Sequence, residues 1–112
     1  MSEYTPDVWV LIELKDPDTG LPFRKVLAGW HGGYLGDDSW RLSSGVTKIE
    51  RLDWGYAIHN ESGSIYYVSR HNERFTNLTA SIYEQLRKID KQMSVRQIPI
   101  TDAKEYVDNG SD

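Results

Sequence analysis

The chain is 112 residues long, 38% hydrophobic and 12% aromatic, with a formal net charge of −4. That length suits one domain with one modest core, and that apolar share excludes a disordered polymer. The absence of cysteine excludes disulfides, thiolate metal sites and a cysteine nucleophile.

The charge is unevenly spread. Residues 1–40 carry three basic and seven acidic side chains, net −4; residues 41–100 carry nine and six, net +3; residues 101–112 carry one and four, net −3. An acidic total disfavours non-specific binding to duplex DNA, which needs many phosphate contacts. The N-terminus lacks the basic and apolar regions of a signal peptide, and the longest apolar run, "VWVLI", is too short to span a membrane. The expectation is a cytoplasmic protein with no membrane contact. "NES" and "NLT" then match the glycosylation pattern by chance.

In chain order, "DVWVLIELK" (Asp7 to Lys15) predicts a strand. Val8, Val10, Ile12 and Leu14 alternate with Trp9, Leu11, Glu13 and Lys15, and the second set turns polar, as on a face that meets water. "DPDTG" reads as a turn, with Pro17 presetting φ and Gly20 free to take a positive one. "LPFRKVLAGWH" returns as a second strand, with Pro22 near its start. "GGYLGDD" is a loop. "SWRLSS" and "VTKIERL" are short strands on either side of Gly45, or one strand with a bulge.

"YAIHN" and "SIYYVSR" predict a hairpin. A three-residue loop Glu61-Ser62-Gly63 with Gly63 left-handed pairs Asn60 with Ser64. Ile58 then faces Tyr66, Tyr56 faces Val68, His59 faces Ile65 and Ala57 faces Tyr67. "HNERFTN" is a polar loop. A helix follows over about Ala80 to Met93, capped by Ser81 with Glu84 or by Thr79. Its apolar stripe is Leu78, Ile82, Leu86, Ile89 and Met93, with Glu84 and Lys88 paired on the outer side. "VRQIPI" suits an edge strand because of Pro99. "TDAKEYVDNGSD" is an acidic tail with a helical turn near Ala103. The expected architecture is a single α+β domain over residues 1–100 with a tail over 101–112. Its core is a curved antiparallel sheet or partial barrel of about six strands, with one helix packed on it.

The chemical motifs are sparse. His31, His59 and His71 are far apart in sequence, and neither HxH nor HExxH occurs, so no metal or cofactor is expected. "HGG" at His31 has no accompanying GxSxG, and Ser43, Ser44, Ser62 and Ser64 read as turn residues. Asp37 and Asp38 in a glycine-rich loop are a solvated pair or a small acid/base or cation site. No phosphate-binding loop is present. Arg41, Lys48, Arg51, Arg70 and Arg74 interleave with Trp40, Trp54, Tyr66, Tyr67 and Phe75, the composition of a single-strand nucleic-acid platform diluted by Glu50, Asp53, Glu61 and Glu73.

Tryptophan, tyrosine and arginine also anchor protein interfaces. The loop "WHGGYLGDDSW" and the end of the hairpin therefore nominate Trp30, Tyr34, Asp37, Asp38, Trp40, Arg70, His71 and Arg74 as partner contacts. The segments "WRLSSGVTKIE", "YAIHNESGSIYYV" and "TASIYEQL", together about Trp40 to Leu86, resemble small uncharacterised bacteriophage and prophage accessory proteins. Those show a Trp-Arg strand with paired hydroxyls before a glycine, a Ser-Gly-Ser hairpin and a short helix. The resemblance transfers no catalytic residue. It implies a host-takeover or anti-defence role, in which a small protein binds and blocks a host protein.

The expected function is accordingly a small non-enzymatic binding protein, monomer or homodimer, that inhibits or modulates a larger host protein. The uneven charge suggests a partner with a basic groove. The alternative is a single-stranded nucleic-acid or RNA-binding module.

Overall fold

A computed structural model describes residues 2–32, 37–89 and 94–107. Nine strands, one α-helix and two 3₁₀ turns follow one another along them. The strands are β1 (Glu3–Tyr4), β2 (Val8–Lys15), β3 (Pro22–Trp30), β4 (Ser39–Leu42), β5 (Val46–Arg51), β6 (Gly55–Asn60), β7 (Ile65–Ser69), β8 (Arg96–Ile98) and β9 (Tyr106–Val107). The helix α1 spans Asn77–Ile89, and the 3₁₀ turns span Arg70–Asn72 and Ile100–Asp102. No helix among the described residues is long and apolar enough to cross a membrane.

The α+β class holds, but the single sheet of about six strands does not. One sheet has the order β1-β7-β6-β5-β9 and a second has the order β4-β3-β2-β8. The second is antiparallel throughout. In the first, β5-β6-β7 form an antiparallel meander, flanked by two-residue parallel strands at both edges.

The reason lies in β2, whose two side-chain sets are both apolar. Trp9 and Leu11 join Val26 and Ala28 against Val46, Ile49, Ile58, Tyr66 and Val68 of the other sheet. Val10, Ile12, Leu14 and Leu27 face the opposite way and meet Phe75, Ile82, Tyr83 and Leu86. A strand buried on both faces needs a layer on each, so the molecule is sheet on sheet with the helix over the outer face. Fully burying one such aliphatic side chain contributes about 1.5–3 kcal/mol. The Trp9 indole also donates from Nε1 to the Ser69 carbonyl at 2.7 Å, tying the two sheets together.

At the polar end of β2 Lys15 is exposed, as expected, but Glu13 is largely covered. Arg24 and Arg96 are the cross-strand neighbours of Glu13 on its two sides. Arg24 Nη1 donates to Glu13 Oε2 at 3.2 Å, and Arg96 donates to Glu13 Oε1 from Nε at 3.0 Å and Nη2 at 2.8 Å. Glu105, just before β9, reaches across from the other sheet. It accepts from Arg24 Nε at 2.8 Å and pairs with Nη2. Burial pushes the Glu13 carboxyl up, but the two guanidiniums outweigh it and hold it below the ordinary carboxylate value.

Local readings fared well. The β6–β7 hairpin has the expected register, with Ile58 opposite Tyr66, Tyr56 opposite Val68, Ala57 opposite Tyr67 and His59 opposite Ile65. Gly63 has φ +89°, and Asn60 N donates to Ser64 O at 3.1 Å. Gly20 has φ +73° in the β2–β3 turn. β8 is an edge strand ending before Pro99.

Other readings need correction. "SWRLSS" and "VTKIERL" belong to different sheets, because the chain crosses over at Ser43–Gly45. The helix starts at Asn77, not Ala80, and its cap is Thr76. Thr79 N donates to Thr76 Oγ1 at 3.0 Å, and Thr76 N donates to Thr79 Oγ1 at 2.8 Å. Glu84 pairs with Arg87 at 3.2 Å. Ile82 and Leu86 pack as expected, but Ile89 is 80% exposed. Met93 lies outside the described residues. Beyond residue 100 the chain stays packed as far as β9, with Ile100 and Ala103 buried and Tyr106 against the core.

Candidate functional site

The residues nominated from the sequence fall into two groups on different sheets. Trp30, Asp37, Asp38 and Trp40 lie around the β3–β4 connection. Trp30 is half-buried, edge-on to Tyr4 with ring centroids 6.3 Å apart, so much of it serves the core. Trp40 is 44% exposed on β4, an outermost strand of its sheet. Asp37 and Asp38 are exposed, and Asp38 Oδ1 accepts from Gly32 N at 3.0 Å. Tyr34 lies outside the described residues.

Arg70, His71 and Arg74 lie in and after the 3₁₀ turn that follows β7. Ser69 caps this turn by accepting from His71 N at 3.3 Å. Arg74 Nη1 donates to Asn72 Oδ1 at 3.1 Å and to His71 O at 3.4 Å, so its head pins the loop. Arg70 borders a cavity of about 300 Å³ together with Arg51, Tyr56, Thr101 and Tyr106. Burial raises the Tyr56 phenol above its ordinary value, helped by Tyr106 and Glu73 and opposed by Arg51 and Arg70. The Glu73 carboxyl is raised as well, by burial, against the Ile100 N–H that donates to it at 3.1 Å.

The aromatic residues of the nucleic-acid reading share no face. Tyr66 points between the sheets and is 1% exposed. Tyr67, next along β7, points the other way. Phe75 packs on Tyr83 beneath the helix, with ring centroids 5.1 Å apart. Trp40 belongs to the other sheet.

Among the described residues, no three histidine, aspartate or glutamate side chains gather as metal ligands. One histidine does meet a carboxylate. His59 Nε2 lies 2.6 Å from Glu50 Oε1, with Lys48 Nζ 3.9 Å from the same oxygen. Both partners are about one-third exposed on the outer face of the meander, and neither lines the cavities described here.

A site that sequence reasoning missed lies at the hairpin end of the sandwich. Arg41, one residue beyond Trp40, lies on the opposite face of β4, because alternate side chains on a strand take opposite faces, and it stays exposed at this edge of the sheet. Its guanidinium carbon lies 4.7 Å from the Tyr4 ring centre. Tyr4 in turn stacks on Tyr66, with ring centroids 4.8 Å apart. Burial raises the Tyr66 phenol, and the neighbouring Arg41 charge acts against that rise. Beside them opens a cavity of about 370 Å³ that Ser44, Ser62 and Ser64 also line.

These serines form a hydroxyl chain. Ser44 Oγ donates to Ser62 Oγ at 3.1 Å, and Ser62 Oγ lies 3.1 Å from Ser64 Oγ. Their sequence context, "LSSG" and "ESGS", signals turns for backbone reasons, and only the tertiary fold brings the two turns together. No family model, curated protein or solved structure matches the chain.

Proposed function

We propose that this chain is a small non-enzymatic binding protein that docks on a larger protein and modulates it. The observation that carries the reading is Trp40, 44% exposed on the edge strand β4. An edge strand offers backbone N–H and C=O groups to a partner strand, and an exposed tryptophan beside it supplies an anchor. Asp37 and Asp38 flank this edge and favour a partner with a basic groove. The resemblance over residues 40–86 to small phage accessory proteins directs the proposal to a host protein in the bacterial cytoplasm, as an inhibitor or anti-defence factor. Pairing through the other edge, β8, offers a route to a homodimer.

The experiment is affinity capture of the tagged protein from bacterial lysate, with and without nuclease, read by mass spectrometry. One stoichiometric, nuclease-resistant partner is expected. It should be lost with Trp40→Ala, weakened with Asp37→Asn and Asp38→Asn together, and retained with Trp54→Ala, since Trp54 is equally exposed (52%) but lies in the β5–β6 turn of the other sheet. Capture unaffected by Trp40→Ala refutes docking at β4. Capture abolished by nuclease moves the function to nucleic acid and the site to the Arg70 cavity.

A further inference from the structure

We infer that the cavity between Tyr4, Arg41 and the two serine turns is a binding site for a tetrahedral oxyanion, phosphate or sulfate, as the free ion or carried by a small molecule. Three observations point to this ligand class.

The first is the balance of donors and acceptors. Ser44, Ser62 and Ser64 hold three hydroxyl protons, but only two contacts link their oxygens. Backbone N–H groups add to the acceptor load: Ser62 N donates to Ser44 Oγ at 3.1 Å, and Ser64 N donates to Ser62 Oγ at 3.4 Å. One hydroxyl proton of the chain is therefore left for an acceptor outside it. Tyr66, hydrogen-bonded to Arg41, also borders the space. A cavity with a surplus of donors is completed by a ligand rich in acceptor oxygens.

The second is charge. Arg41 is the cation of the cavity, and no described residue lining it is acidic. The nearest turn acid, Glu61, lies against Gly45 and lines a neighbouring concavity that shares only Ser44 with this one. The contact with the Tyr4 ring, 4.7 Å from the guanidinium carbon to the ring centre, holds the cation beside the cavity, and a guanidinium is the side chain that suits a phosphate or sulfate fork.

The third is rigidity and room. Ser64 and Tyr66 are buried, at 9% and 1% exposure, and the register of the β6–β7 hairpin sets their positions. The polar side chains around it come from β4, from the Ser43–Gly45 crossover and from the β6–β7 turn, three separate segments that the fold holds together. At about 370 Å³ the space exceeds a bare phosphate and leaves room for the group that carries it.

The test is calorimetric titration of the intact protein with inorganic phosphate, with sulfate, with glucose 6-phosphate and with glucose, at constant ionic strength set by chloride. Amide chemical-shift mapping by NMR locates the site. Saturable binding of the anions is expected, none of glucose, with shifts centred on residues 41–44 and 62–66. Tighter binding of the ester identifies a phosphorylated small molecule as the ligand, and equal binding identifies the free ion; both support the site. Arg41→Gln should weaken binding about tenfold or more, since hydrogen bonds to a charged partner are the strong ones. Ser62→Ala, at an exposed turn position, should weaken it about threefold to tenfold while the amide spectrum outside the two turns stays that of the folded protein. Absence of saturable binding, shifts that chloride reproduces, or binding lost with Arg70→Gln and kept with Arg41→Gln each overturn the assignment.

Discussion

Replacing Arg24 with methionine tests how the two sheets are held together by the row Glu13, Arg24 and Glu105. Arg24 is 4% exposed and bonds Glu13 from its own sheet and Glu105 from the other. The two carboxylates are 15% and 14% exposed. Removing one partner of a buried ion pair costs about 3–5 kcal/mol, because the remaining charge stays desolvated without its partner. Arg96 still holds Glu13 through two hydrogen bonds, so the loss falls mainly on Glu105. The lower end, about 3 kcal/mol, is therefore expected. A domain of this size is stable by about 5–15 kcal/mol. At a urea dependence of about 1–3 kcal/mol per molar, the unfolding midpoint should fall by about 1–3 M.

Acid titration supplies an independent readout. The folded pKa of Glu13 lies below its unfolded value, so its stabilisation is present above the ordinary carboxylate range and is lost as pH falls through the depressed folded value. In Arg24→Met the folded value moves back toward the unfolded one, and the acid limb of the stability profile should flatten. Urea unfolding followed by tryptophan fluorescence, repeated between neutral pH and about pH 3, measures both effects. A midpoint unchanged at neutral pH, together with an unchanged acid limb, refutes the view that this row ties the sheets. Replacing all three residues by apolar ones of similar volume should recover most of the loss, since a buried pair is worth little against good packing.

Three further outcomes are expected. Glu73→Gln should stabilise the fold at neutral pH, because burial raises the folded pKa of Glu73 and its contribution is lost as pH rises through that value; the advantage should vanish below the ordinary carboxylate range, as chemical unfolding at both ends would show. Gly55→Ala should cost about 3 kcal/mol or more, since the new Cβ would sit 1.9 Å from the Val68 carbonyl oxygen in the neighbouring strand, whereas Gly63→Ala, at φ +89° with open space around it, should cost only about 1–2 kcal/mol; paired denaturation curves distinguish them. Thr76→Ala should cost about 1 kcal/mol and speed amide exchange in the first turn of α1, while Ser81→Ala leaves both unchanged, because Thr76 is the cap.

What was legible in the residues was the local chemistry of turns and strands. The β6–β7 register follows from Gly63, the residue that tolerates the left-handed backbone, and from strand alternation with period two. The β2–β3 turn at Pro17 and Gly20, and the edge position of the strand before Pro99, follow from constraints on single residues.

What only the tertiary structure decided was every contact between segments distant along the chain. Apolar side chains on both sets of β2 state that two faces are covered, but not that one cover is a second sheet. Ser43–Gly45 is an ordinary turn sequence, and it became the crossover because Leu42 packs beneath the helix while Val46 and Ile49 pack between the sheets. Glu13 looked solvated because its partners lie 11 and 83 residues away, in Arg24 and Arg96. Arg41 read only as part of a nucleic-acid platform, and the serines only as turn residues, for the same reason. Long-range burial and ion pairing are set by which surfaces exclude water together, and that depends on the assembled sandwich, whereas a turn glycine is constrained by its own backbone angles alone.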